Sequence, residues 1–216
     1  VLPMLYGHRG KYPTIASSAW VAPDASICGD VSIGEGVRVM HGARVIAESG
    51  GRITIGANCI VMENAVVRAT AKHPCSIGEH TLIGPMAHVV GATIEDQVFI
   101  ATGAAIFHGA IVERGAEVRI HAVVHLRTRV PAGATIPIAW VAVGDPAAIL
   151  PPDRHDDIWK VQAPLHFPQW VYGVERDTPD LMVHVTTGLS QALTDHASDI
   201  PVAPALGTDL DGTSDN

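Results

Sequence analysis

Ser76-Ile77-Gly78-Glu79-His80-Thr81-Leu82-Ile83-Gly84-Pro85-Met86-Ala87-His88-Val89 carries an aliphatic residue at every sixth position, Ile77, Ile83 and Val89, with a glycine directly after the first two. A helix repeats every 3.6 residues or so and a half-buried strand every two, so neither has a period of six. Hexads instead fit a parallel β-helix: each supplies one short strand and one corner, and three close a triangular coil. Stacking puts like residues in line, roughly 4.8 Å apart, and the aliphatic positions become three interior columns.

The spacing extends in both directions from this stretch. Upstream it runs through Val21, Ile27, Ile33, Val39 and Val45, then Ile55, Val61 and Val67; downstream it runs through Ile94, Ile100, Ile106, Val112, Val118, Val124, Val130 and Ile136. Four extra residues enter between Val45 and Ile55 and again between Val67 and Ile77, and one is missing between Val89 and Ile94. All three interruptions fall at the same corner of the triangle. Loops Glu48–Gly51 and Thr70–Pro74 are therefore expected to project from one edge. Glycine after the aliphatic position, as in Ile33-Gly34 and Ile55-Gly56, is expected to ease the turn. About seven turns are expected over residues 15–148.

The composition agrees with such an interior: 47% of residues are hydrophobic but only 5% aromatic, so the core must be built from small and β-branched side chains. A net charge of -8 argues against non-specific nucleic-acid binding. No apolar run approaches the roughly 18 residues of a membrane span. The three cysteines, Cys28, Cys59 and Cys75, lack metal-type spacing. They read as reduced and buried, which with the absence of an export signal points to a cytoplasmic protein.

Beyond the repeat, residues 149–199 read as a helical appendage. A helix is expected over Asp153–Gln162, then a Pro-rich connector from Pro164 to Trp170. A second helix, capped by Thr178-Pro179, carries Leu181, Val185, Leu189 and Leu193 on one face. Residues 200–216, rich in Pro, Gly and Asp, read as a mobile tail.

Gly7-His8-Arg9-Gly10, Trp20-Val21-Ala22-Pro23, Ile27-Cys28-Gly29-Asp30-Val31 and Val143-Gly144-Asp145-Pro146-Ala147 together resemble the γ-class carbonic anhydrases of the hexapeptide-repeat superfamily, over roughly Tyr6 to Gln162. The resemblance implies an all-β fold, a left-handed parallel β-helix of hexapeptide repeats with C-terminal α-helices, assembled as a homotrimer. It also implies a zinc ion on three histidines at a subunit boundary. In this sequence those three positions hold Arg68, Pro85 and Val90. A protonated guanidinium, a proline ring and a valine offer zinc no donor atom. The family's Arg-x-Asp turn reads Ile46-Ala47-Glu48, and its Gln-Asp pair reads Met62-Glu63. No cofactor is therefore expected, zinc only at a site other than the family's, and CO2 hydration at background.

Alternation along a strand places Arg68, Val90, Phe107 and His125 in one outward column, and Arg44, His88 and Ala105 in another. His41, Glu63, Pro85 and Thr102 form a third, near the boundary a trimer would close. The expected site lies in an inter-subunit cleft: Arg68, Glu48 and His41 bind a small anionic molecule, with His88 as proton acceptor and Glu63 orienting the guanidinium. A purely structural ion pair of Arg68 with Glu63 or Glu48 is the competing reading, and for His88 the competing reading is a residue simply hydrogen-bonded at an interface. His41, His108, His121 and His125 are open to a stray metal, His73 and His80 are expected in solvent, and His155, His166, His184 and His196 outside the cleft. A CoA-dependent acyltransferase and a non-catalytic scaffold remain alternatives.

Overall fold

The computed structural model describes residues 3–203. Each hexad forms a short strand and a tight corner, and like strands stack in register: Val61, Ile83 and Ile100 are successive partners, as are Val67 and Val89. The result is a left-handed parallel β-helix of about eight turns. One side is a ten-stranded sheet and the other two are seven-stranded.

The interior columns are closed to water. Ile55 is 3% exposed and Ile83 and Ile106 are 0% exposed, as the hexad frame requires. Beside them runs an inner set of methyls, Ala43, Ala65, Ala87, Ala104 and Ala122, all fully buried two residues before an aliphatic position. Elsewhere the same inner position holds a second branched side chain, as in Ile53 beside Ile55 and Val37 beside Val39, and the narrow prism is filled without aromatics. Each buried Ile or Val contributes about 1.5–3 kcal/mol through removal of apolar surface from water.

The glycines after the aliphatic positions act differently from the expectation. Gly34, Gly56 and Gly84 do not take a left-handed conformation; a Cβ on Gly84 would stand 2.7 Å from the Ile100 carbonyl oxygen of the next coil. Close approach of stacked backbones requires them. The left-handed corner residue comes two positions later and is Gly36, Asn58, His80 or Met86.

The prism starts earlier than residue 15. Met4–Gly7 is its first rung, paired in parallel with Ser26–Cys28. From buried Leu5 to Ile15 the spacing is ten residues, the same four-residue insertion as in the later coils, which hides this rung from a six-residue count. Three insertions thus stack at one corner, closed by backbone bonds between His8 and Lys11, Glu48 and Gly51, and Thr70 and His73.

Ile200–Val202, read from sequence as part of a mobile tail, is a strand antiparallel to Met4–Gly7. Residues 204–216 of that tail lie outside the described residues. At the other end Ala148–Leu150 pairs antiparallel with Val141–Val143.

Three helices follow: α1 (His155–Gln162), α2 (Phe167–Tyr172) and α3 (Leu181–Leu193). The Pro-rich connector contains α2, with Pro168 in its first turn, where the missing amide costs nothing. α3 begins after Asp180 rather than at Pro179, because Asp180 is left-handed (φ 54°) and can only precede the helix. No described helix is long and apolar enough to cross a membrane.

Candidate functional site

The outward face of the ten-stranded sheet, next to the corner of stacked insertions, carries the chemistry. Arg68 and Val90 are register partners on adjacent rungs. α2 and α3 lie over them and enclose a cavity of about 320 Å³, lined on the prism side by Glu48, Arg68, His73, His88, Phe107 and His108 and on the helix side by Phe167, Val171, Tyr172, Leu189 and Leu193.

Arg68 donates from Nε to Glu48 Oε1 at 2.7 Å and from Nη2 to the same oxygen. Glu48 is 5% exposed, so its charge depends on that guanidinium for compensation. Nη1 has no hydrogen-bond partner among the described residues.

Three imidazoles border the cavity. His88 is half-buried, and burial followed by the Arg68 charge lowers its pKa below the usual histidine value. Burial, then the charges of His73, His88 and Arg68, holds His108 at about 4. His73 is lowered by burial and then by Lys72. All three are neutral at pH 7 and able to accept a proton or a hydrogen bond. His73 Nε2 and His108 Nδ1 are buried without a hydrogen-bond partner among the described residues.

The helices are held by Trp170, whose ring packs on His73 with centroids 4.4 Å apart. Lys72 donates to its carbonyl oxygen, and the Arg127 guanidinium lies 5.8 Å from its ring.

Of the residues read from sequence as a site, the fold brings together Arg68, Glu48 and His88. It does not bring Glu63 or His41 to them. Glu63 sits in the corner turn before the Arg68 strand and does not line the Arg68 cavity; Glu48 enters from the opposite corner and takes the guanidinium instead. His41 belongs to the Glu63 corner, where the stacking of His41, Glu63, Pro85 and Thr102 does occur through backbone bonds from Asn64, Met86, Gly103 and His121. Its Nδ1 lies 2.7 Å from the Asp24 carboxylate, in solvent.

Within this chain the Arg68 cavity lies between the prism and its own α2 and α3. One further correction concerns the surroundings. His73 is 5% exposed rather than solvated, since its loop folds back under Trp170. The missing residue between Val89 and Ile94 was the available signal: it leaves only Gly91, where a side chain would collide with His73.

No family model matches the sequence. Over 129 residues, 57% of the chain, it is 34% identical to γ carbonic anhydrase 1, mitochondrial, of Arabidopsis thaliana, of which the match covers 46%. Its sequence is thus similar to γ carbonic anhydrases over part of its length. The chain is also 28% identical over 112 residues to a carbonic anhydrase of Geobacillus kaustophilus, covering 52% of the chain and 61% of that protein. It spans about half the length of the curated relatives it matches. Among solved structures, the UDP-N-acetylglucosamine acyltransferase of Francisella novicida aligns with 85% of this chain and 87% of its own, at 16% identity and TM-score 0.51, which shows a shared fold alone.

Proposed function

We propose that this chain has given up the zinc chemistry of its relatives and uses the Arg68 cavity to bind a small anion with an apolar body, His88 serving as proton acceptor. The residues do not fit the family's metal: Arg68 and Val90 stand side by side without a donor atom for zinc, and Pro85 lies on another face, beside Met62 and Thr102. The observation that carries the reading is that Arg68 lines a largely apolar cavity with Nη1 unpartnered among the described residues, its other two nitrogens being engaged by Glu48 on the same wall. A carboxylate on Nη1 takes a charge-assisted bond, and its tail fills the space under α2 and α3.

In the same reading the chain assembles as a homotrimer. The apolar surface that favours association is the third sheet, the seven-stranded one running from Trp20–Val21 to Thr135–Ile136, where Trp20, Ile60 and Phe99 are exposed with Ile120 and Ile138 beside it. Val90 and Phe107, in the outward column of Arg68, lie under the chain's own helices. Free Cys28, Cys59 and Cys75, all buried, support a reducing compartment.

Thermal unfolding with a panel of carboxylates, phosphates and CoA tests the proposal. Stabilisation by an apolar carboxylate in the wild type, lost in Arg68→Ala and weakened in Arg68→Lys, supports it. Stabilisation by CoA alone favours the acyltransferase alternative, and no stabilisation by any of them removes the site.

A further inference from the structure

A second constellation lies at the same corner, nearer the N-terminus. Cys28, Ile46, Arg68 and Val90 occupy one outward column in register, so Cys28 is two rungs from Arg68. His8 stands on the first of the stacked insertions. From the far end of the chain, the 3-10 turn Thr194–Ser198 brings His196, and the next residue is Asp199.

The donor atoms of His8, Cys28, His196 and Asp199 all lie within 4.8 Å of one another. His8 Nδ1 is 2.6 Å from Asp199 Oδ1, His196 Nδ1 is 2.7 Å from Oδ2, and Cys28 Sγ is 3.4 Å from Oδ2. The two imidazoles stack with centroids 4.5 Å apart. His8 is 2% and Cys28 5% exposed.

We propose that these four residues bind a zinc ion that fastens the C-terminal segment to the first coil. Two imidazoles, a thiolate and a carboxylate form a closed tetrahedral donor set, as structural zinc takes. Zn–N of about 2.0 Å and Zn–S of about 2.3 Å imply donor-to-donor edges of roughly 3.3–3.5 Å, a range that the present separations bracket. Charge supports the choice of a dication. On binding, Cys28 releases its proton, and thiolate plus carboxylate cancel the two positive charges. The buried cluster is then neutral, which avoids the cost of burying an unpaired ion.

The surroundings match a metal's second layer. Glu48 Oε2 lies 4.0 Å from His196 Nε2, so a histidine ligating through Nδ1 finds a carboxylate for its other ring proton. His8 Nε2 now accepts from the Ser49 amide at 3.3 Å. A metal on Nδ1 moves a proton to that nitrogen, and the Glu48–Gly51 loop must shift accordingly. Glu48 therefore faces both sites, with Arg68 on one oxygen and His196 on the other. This site is separate from the positions of Arg68, Pro85 and Val90. It stands or falls independently of the anion-binding proposal, whose readout is carboxylate binding at Arg68.

The test is Co2+ titration of the full chain after chelator treatment, followed by Zn2+ competition. The expected result is one Co2+ per chain with the strong visible bands of tetrahedral cobalt and a thiolate-to-cobalt charge-transfer band, both displaced by Zn2+, and a thermal midpoint raised by Zn2+. Cys28→Ser should abolish the charge-transfer band. His196→Ala, at a partly exposed position, should weaken Co2+ binding at least about tenfold while keeping the circular dichroism of the stripped wild type. His121→Ala, elsewhere on the prism, should change nothing. Weak octahedral bands, a charge-transfer band that survives Cys28→Ser, or no bound metal at all would each overturn the proposal.

Discussion

A Cβ built on Gly91 would stand 2.5 Å from the Cβ of His73, on a backbone whose φ is +56°. The Thr70–His73 loop can tuck beneath Trp170 because this residue has no side chain. Gly91→Ala should therefore lower stability by about 2–4 kcal/mol, the sum of left-handed strain and overpacking. Gly115→Ala is the control: its φ is +69° with nothing within 4 Å, so it should cost only about 1–2 kcal/mol. Urea unfolding of both variants gives the comparison.

Removing the Arg68 guanidinium strands the buried Glu48 carboxylate. Arg68→Ala should destabilise by about 1–3 kcal/mol, and adding Glu48→Gln should recover most of that loss. A double-mutant cycle measures the coupling. Full recovery of stability with no recovery of carboxylate binding would separate the structural from the ligand-binding contribution of Arg68.

Acid should weaken the fold before its carboxylates titrate. His73, His88, His108 and His125 are all lowered by burial, His108 from 6.5 to about 4. The unfolded chain then binds more protons than the native one as pH falls below about 6.5, so stability declines from there until the native imidazoles protonate, near 4 for His108. At about 1.4 kcal/mol per unit, and allowing for partial exposure, His108 alone should account for about 2 kcal/mol. Urea midpoints between about pH 7.5 and 4.5 should fall steadily, and His108→Phe should flatten the slope.

Bound carboxylate should reverse part of that shift at His88. A negative charge beside the imidazole favours its protonated form, so binding takes up a proton and tightens as pH drops from about 8 to 6. Calorimetry in buffers of different ionisation enthalpy reads the proton uptake; His88→Gln should abolish it.

Association should rest on the third sheet. Phe99→Glu places a charge on its exposed apolar face and should dissociate the proposed trimer to single chains without melting the prism, as Phe99 is 41% exposed. Sedimentation and circular dichroism on the same sample check both halves.

Most of the prism was legible because a period of six has one structural solution: the phase of Ile77, Ile83 and Val89 fixes which side of every strand faces inward. The outward columns of Arg68 and His88 followed from alternation alone. What escaped was whatever depends on the corner insertions and on distant segments. Glu48 rather than Glu63 meets Arg68 because an inserted loop folds back, and insertions carry no period. His196 and Asp199 reach Cys28 and His8 across nearly the whole chain, so no local spacing announces them. α2 was hidden by its prolines, which read as a connector although a first-turn proline is compatible with a helix.

The antiparallel pairing of Ile200–Val202 with Met4–Gly7, and of Ala148–Leu150 with Val141–Val143, has a consequence for how far the solenoid can grow. A parallel β-helix ends in an open row of amides and carbonyls, ready to accept another rung, and two prisms meeting end to end would continue each other's sheets. Here each terminus of the ten-stranded sheet is sealed by a strand running the wrong way for continuation. The chain thus carries its own stoppers against filament growth, and the N-terminal stopper is held by the same Asp199 that gathers His8, Cys28 and His196.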